Sequence, residues 1–80
     1  MTIPQELEGV LVTTEDTLGG SVRFKGTRVP VRALLDSIQA GHGLDYFLEG
    51  WPDVTQEQAI AVIRWETNRA RETLGLEKVA

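Results

Sequence analysis

Between Pro30 and Gly75 the apolar residues fall into three runs at helical spacing, and each run closes on a residue that ends helices. In the first, Val31, Leu34, Leu35 and Ile38 recur at i, i+3, i+4 and i+7. Pro30 suits its opening turn and Gly41 its C-cap. The second repeats the spacing at Leu44, Phe47, Leu48 and Trp51, then stops before Pro52, because proline disfavours a helical residue ahead of it. The third opens on Thr55-Gln56-Glu57-Gln58, a capping box, and runs to about Leu74, where Gly75 ends it. The connections are only a few residues each, which predicts a compact tri-helical unit.

A small β element precedes the helices. Val10-Leu11-Val12-Thr13-Thr14 is a β-branched run, and Val22-Arg23-Phe24-Lys25 alternates apolar and basic residues with the period of a half-buried strand. Turn chemistry at Thr17-Leu18-Gly19-Gly20-Ser21 separates the two, and Gly26 ends the second. Two short strands are marginal alone, so the pair must pack on the helices or on another subunit. Residues 1–9 are polar, with Pro4 and Gly9, and are expected to be a frayed or loosely docked lead-in. The expected division is an N-terminal arm at 1–9, one domain at 10–75 and a short tail at 76–80.

Eighty residues make one domain with a modest core, and without cysteine neither a disulfide nor a thiolate metal site can supplement it. No run reaches the roughly 18 apolar residues of a membrane span. Met1-Thr2-Ile3-Pro4-Gln5-Glu6 lacks the basic-then-apolar order of a signal peptide, so the expectation is a cytoplasmic protein. The formal net charge is −4, whereas nucleic-acid binders are usually basic. Any such role requires the few cations to gather on one surface.

At about 100° per residue, Ala59, Ile60, Ile63, Thr67, Ala70 and Leu74 share one stripe of the third helix, the expected core face. Trp65 projects nearly opposite, with Val62 on its flank. Either Trp65 lies flat on the surface or under the N-terminal arm, or Val62 and Trp65 form a subunit interface, where aromatic residues are enriched. We favour the interface, and with it a homodimer.

The residues give little support to catalysis, and we read the chain as a binding protein, not an enzyme. His42 stands alone in a Gly-His-Gly loop with no second ligand type at metal spacing. Asp36, Asp45, Glu49 and Asp53 are scattered at helix surfaces and ends and form no defensible carboxylate pair. Gly19-Gly20 is not followed by the Gly-Lys-Ser/Thr of a phosphate loop. No cofactor or metal is expected. Two cationic groups stand out instead. Arg23, Lys25, Arg28 and Arg32 fall within ten residues, with no acid between Asp16 and Asp36. Arg64, Asn68 and Arg71 follow at i, i+4 and i+7 beside Trp65, whereas Arg69 is bracketed by Glu66 and Glu72 and is expected to pair within the helix. Arginine and asparagine suit phosphate and base-edge contacts, and they equally suit an acidic protein partner.

These strings resemble a known family. Leu18-Gly19-Gly20, then Val22-Arg23-Phe24-Lys25-Gly26-Thr27-Arg28-Val29-Pro30-Val31, is similar to the signature of the domain of unknown function 433 family. The helix ending in Ala40-Gly41, the Trp51-Pro52 pair and Val54-Thr55-Gln56-Glu57-Gln58-Ala59 follow in that family's order, and the likeness spans about residues 10–66. The resemblance implies a homeodomain-like tri-helical fold preceded by a small β element, often dimeric. It also implies kinship with antitoxins of VapB type, whose partners are PIN-domain ribonucleases and which repress their own operons. Residues 44–51 and 55–74 would then be the helix-turn-helix, with Gln56 among the N-terminal residues of the second helix that meet the major groove. Only Gly75–Ala80 follow the last helix, so toxin contact is expected on the helix surface or the arm.

Overall fold

The computed structural model describes residues 3–13 and 21–76. The turn expected at Thr17-Leu18-Gly19-Gly20, the end of the first strand at Thr14 and the tail from Glu77 onward lie outside the described residues. A short 3-10 turn at Gln5–Leu7 leads into two strands, β1 (Leu11–Thr13) and β2 (Val22–Phe24). Three helices follow: α1 (Val31–Gln39), α2 (Leu44–Gly50) and α3 (Gln56–Thr73). The fold is mainly helical with a small β element at its N-terminal end. The strands pair antiparallel in the register Leu11↔Phe24, Val12↔Arg23 and Thr13↔Val22.

The boundaries follow local chemistry. After β2 the chain turns through Gly26, at φ +80°, and the Thr27 N–H donates to the Phe24 carbonyl at 3.1 Å. That places glycine where a type II turn needs positive φ. The Thr27 hydroxyl then serves both sides of the turn, donating to the Phe24 carbonyl at 2.9 Å and accepting from the Val29 N–H at 3.0 Å. At the end of α1 Gly41 takes φ +91°. Its N–H bonds the Ile38 carbonyl while His42 N–H bonds that of Ser37, a Schellman close. On α3 the capping box is complete: Gln58 N–H donates to Thr55 Oγ1 at 3.1 Å, and Thr55 N–H to Gln58 Oε1 at 3.0 Å. The spare Gln58 amide group also donates to the Lys25 carbonyl at 3.0 Å, fastening the start of α3 to the end of β2.

Each element contributes to one core. Phe24, Leu34 and Phe47 are its most enclosed large side chains, and the two phenylalanine rings sit 6.3 Å apart, tilted by 49°. Val29, Val54, Leu11 and Ala59 close around them.

Two expectations are corrected here. The lead-in is not loose at Leu7, which is 3% exposed and belongs to the core, with Ile3 packed alongside. Pro4 and the 2.9 Å bond from Leu7 N–H to its carbonyl turn the chain so that this apolar side chain points inward. The buried side of α3 is also rotated by roughly one residue, or about 100°, from the expected stripe. Val62 and Ala59 are enclosed, whereas Thr67, Ala70 and Leu74 are exposed, Leu74 by 71%. The reason is tertiary: the arm packs against α3 on the Val62–Trp65 side. Val62, expected at a subunit interface, is therefore a core residue with no surface to offer a second chain.

Candidate functional site

The helical stripe on α1 is wider than the core it serves. Leu34 is fully enclosed, but Leu35 and Ile38 are each 38% exposed, large apolar side chains with only part of their surface covered. They form one wall of an apolar groove of about 700 Å³. Val31 and Val22 continue that wall, Ile3 and Leu7 of the arm lie across from it, and Val62 is at the base. Trp65 bounds the groove on the α3 side, with Gln39 and Glu66 as its polar lining. The volume is in the range that takes a small ligand or a few side chains.

On its other side Trp65 borders a second groove, of about 550 Å³ and different character. Arg64, Asn68 and Arg69 line it from α3, with Glu6 of the arm and Glu72. The Arg69 guanidinium lies over the Trp65 ring, 5.8 Å from its centre, a cation–π contact in place of the intrahelical pairing expected for it. Trp65 is thus half-buried against the core, under the arm, and forms a ridge between an apolar groove and a polar one of mixed charge. Arg64 and Asn68 come together as their spacing predicts. Arg71, half-buried one turn further on, lies outside this lining.

The first cationic group is dispersed by the turn that carries it. Arg23 is half-buried, and its Nε donates to the Thr27 carbonyl at 3.1 Å, so it braces the turn. Arg32 faces solvent and reaches Asp36 one helical turn on, at 3.9 Å. Lys25 and Arg28 are exposed. The Lys25 backbone sits beside the start of α3 through the Gln58 bond, and Gln56 in that first turn is exposed. Much of the Gly-Thr-Arg-Val-Pro-Val string is therefore architectural: Gly26 and Thr27 shape the turn, Val29 fills the core, and Pro30 occupies the N-cap of α1.

Sequence reasoning did not find the apolar groove. Its signal was the surplus of apolar positions on α1 over what one small core can enclose. A second feature was also missed: exposed His42 stacks on Tyr46, with ring centres 4.0 Å apart and 13° between planes. Among the described residues, no three or more His, Cys, Asp or Glu side chains gather as a metal site, and no helix is long and apolar enough to cross a membrane.

No solved structure matches the chain. The uncharacterized protein y4eO of Sinorhizobium fredii (strain NBRC 101917 / NGR234) is 38% identical over 63 residues, covering 78% of this chain. The match takes in only 28% of that relative, so this chain corresponds to a small part of its length. The profile of the family described as "Protein of unknown function (DUF433)" matches residues 11–65, from the start of β1 to Trp65. The match covers more than half of the sequence, and the chain belongs to that family.

Proposed function

We propose that this chain is a protein-binding regulatory module of antitoxin type, with a binding and not a catalytic role, and that its partner docks across the Trp65 ridge. The observation that carries this reading is the apolar groove of about 700 Å³, flanked by a second groove bearing Arg64, Asn68 and Arg69 together with Glu6 and Glu72. An apolar centre beside a polar, arginine-containing margin is the usual anatomy of a protein interface. The partner inserts apolar side chains between α1 and the arm, while Arg64 meets an acidic group. The resemblance to VapB-type antitoxins makes a PIN-type ribonuclease the partner class, since its metal site is acidic and would accept an arginine. A second copy of this chain is the other occupant considered, meeting its twin across the same ridge in a homodimer. Sedimentation over a range of concentrations separates the two, because a self-associating ridge makes the mass concentration-dependent.

The test is inhibition. A ribonuclease recovered with the chain from its native lysate should lose activity in proportion to added chain, and the Arg64→Glu variant should fail to inhibit. Undiminished nuclease activity at excess wild-type chain would refute the antitoxin reading.

One observation favours operator DNA as a further partner: the Gln58 bond sets the Lys25 backbone beside the first turn of α3. Binding there would weaken steeply as salt rises and would be lost in a Lys25→Glu, Arg28→Glu double variant. Against it, Glu57 is acidic in that same turn, and Arg23 and Arg32 already hold contacts within the chain.

A further inference from the structure

The face of α1 opposite the apolar groove borders another depression, of about 810 Å³, between α1 and α2. Val31, Leu35 and Ile38 serve the groove, whereas Ala33, Asp36 and Ser37 serve this cleft. At about 100° per residue the two sets lie on opposite sides of the helix. The cleft combines exposed aromatic rings with negative charge. Tyr46 is 59% exposed and Trp51 42%, and the carboxylates lining the cleft belong to Asp36 and Glu49. Neither lysine nor arginine lines it. His42 stacked on Tyr46 holds that ring in place before any ligand arrives, which lowers the ordering cost of binding.

We propose that this cleft binds an arginine side chain presented by a basic segment of a protein partner. Three features select that occupant. Carboxylates beside aromatic faces attract a cation and repel phosphate, which excludes nucleic acid here. A planar guanidinium stacks on a ring while its N–H groups reach a carboxylate, and a lysine ammonium cannot do both as well. The chain already shows one such approach, since its own Arg32 reaches Asp36 at 3.9 Å from the solvent side. Arg32 therefore competes with the incoming arginine for Asp36, and removing it strengthens binding.

The experiment is an NMR titration of the full chain with a capped Gly-Arg-Gly-Arg-Gly peptide, alongside its lysine and citrulline counterparts. The arginine peptide should move the Trp51 indole and the Tyr46 ring signals and leave the Trp65 indole in place. Single-site affinity of this kind is in the range of roughly millimolar or somewhat tighter. Tyr46→Ala should weaken it about tenfold, Glu49→Gln several-fold by about the worth of one exposed pair, and Arg32→Ala should tighten it a few-fold. The unaltered remainder of each spectrum shows that the variant is folded. A citrulline peptide that binds equally well, a lysine peptide that matches the arginine one, or a Trp51 signal that stays put at millimolar peptide would each overturn the proposal.

Discussion

Thr27 is the residue on which the N-terminal half turns. Its hydroxyl makes both a donated and an accepted bond across the β2–α1 turn, and the chain enters α1 in the right direction only while that turn holds. Thr27→Val keeps the shape but removes both bonds from a half-buried site, and should cost about 1–2 kcal/mol in a urea titration. Gly26→Ala acts on the same turn through the backbone, since φ +80° costs an alanine about 1–2 kcal/mol. Val62 carries a different prediction. Because it is 3% exposed, Val62→Ala should lower stability by about 2 kcal/mol and leave the sedimenting mass unchanged. A shift in mass without loss of stability would return Val62 to an interface. These residues also mark what sequence could and could not convey. The Gly-Thr string reads plainly as turn chemistry, but nothing in it shows that Arg23 spends its guanidinium on the Thr27 carbonyl.

At the scale of elements, helix ends were legible because capping is local. Thr55 and Gln58, Gly41 and Gly75 act within a few residues of themselves, and each ends or begins a helix where its chemistry places it. The buried side of α3 was not legible, because apolar residues lie on two flanks of that helix. Ile60 and Ile63 flank one side, and Val62 with Trp65 the other. The choice between them is made by Leu7, more than fifty positions away, when the arm docks. The capping box supplies the prediction at this scale. Thr55→Ala removes one cap bond and should cost about 1 kcal/mol by thermal unfolding. Gln58→Ala should cost more, because it also frees the Lys25 carbonyl and unties α3 from β2. Equal losses in the two variants would mean that the tie between the elements contributes nothing.

For the molecule as a whole, three helices and a hairpin enclose one small core and leave apolar side chains over. Leu35 and Ile38 continue the core stripe of α1 into open surface, and the arm that seals one side of α3 makes the far wall of the groove. The surplus follows from size: about eighty residues cannot enclose every apolar position of three amphipathic helices. Sequence therefore showed the fold but spread the candidate surface over Arg23, Lys25, Arg28, Arg32 and Gln56 as well as Val62, Arg64, Trp65, Asn68 and Arg71. The groove itself needed the arm's position. A partner that buries Leu35 and Ile38 would complete the core from outside. The measurement that tests this most directly is quantitative affinity capture from the native lysate, comparing the wild-type chain with Ile38→Glu and, as a control at an exposed residue outside all three clefts, Asp53→Ala. A particular protein should be retained by wild type and by Asp53→Ala and depleted about tenfold or more by Ile38→Glu, as for a charge placed in the centre of an interface. Capture of the same proteins at the same levels by Ile38→Glu and wild type would contradict it.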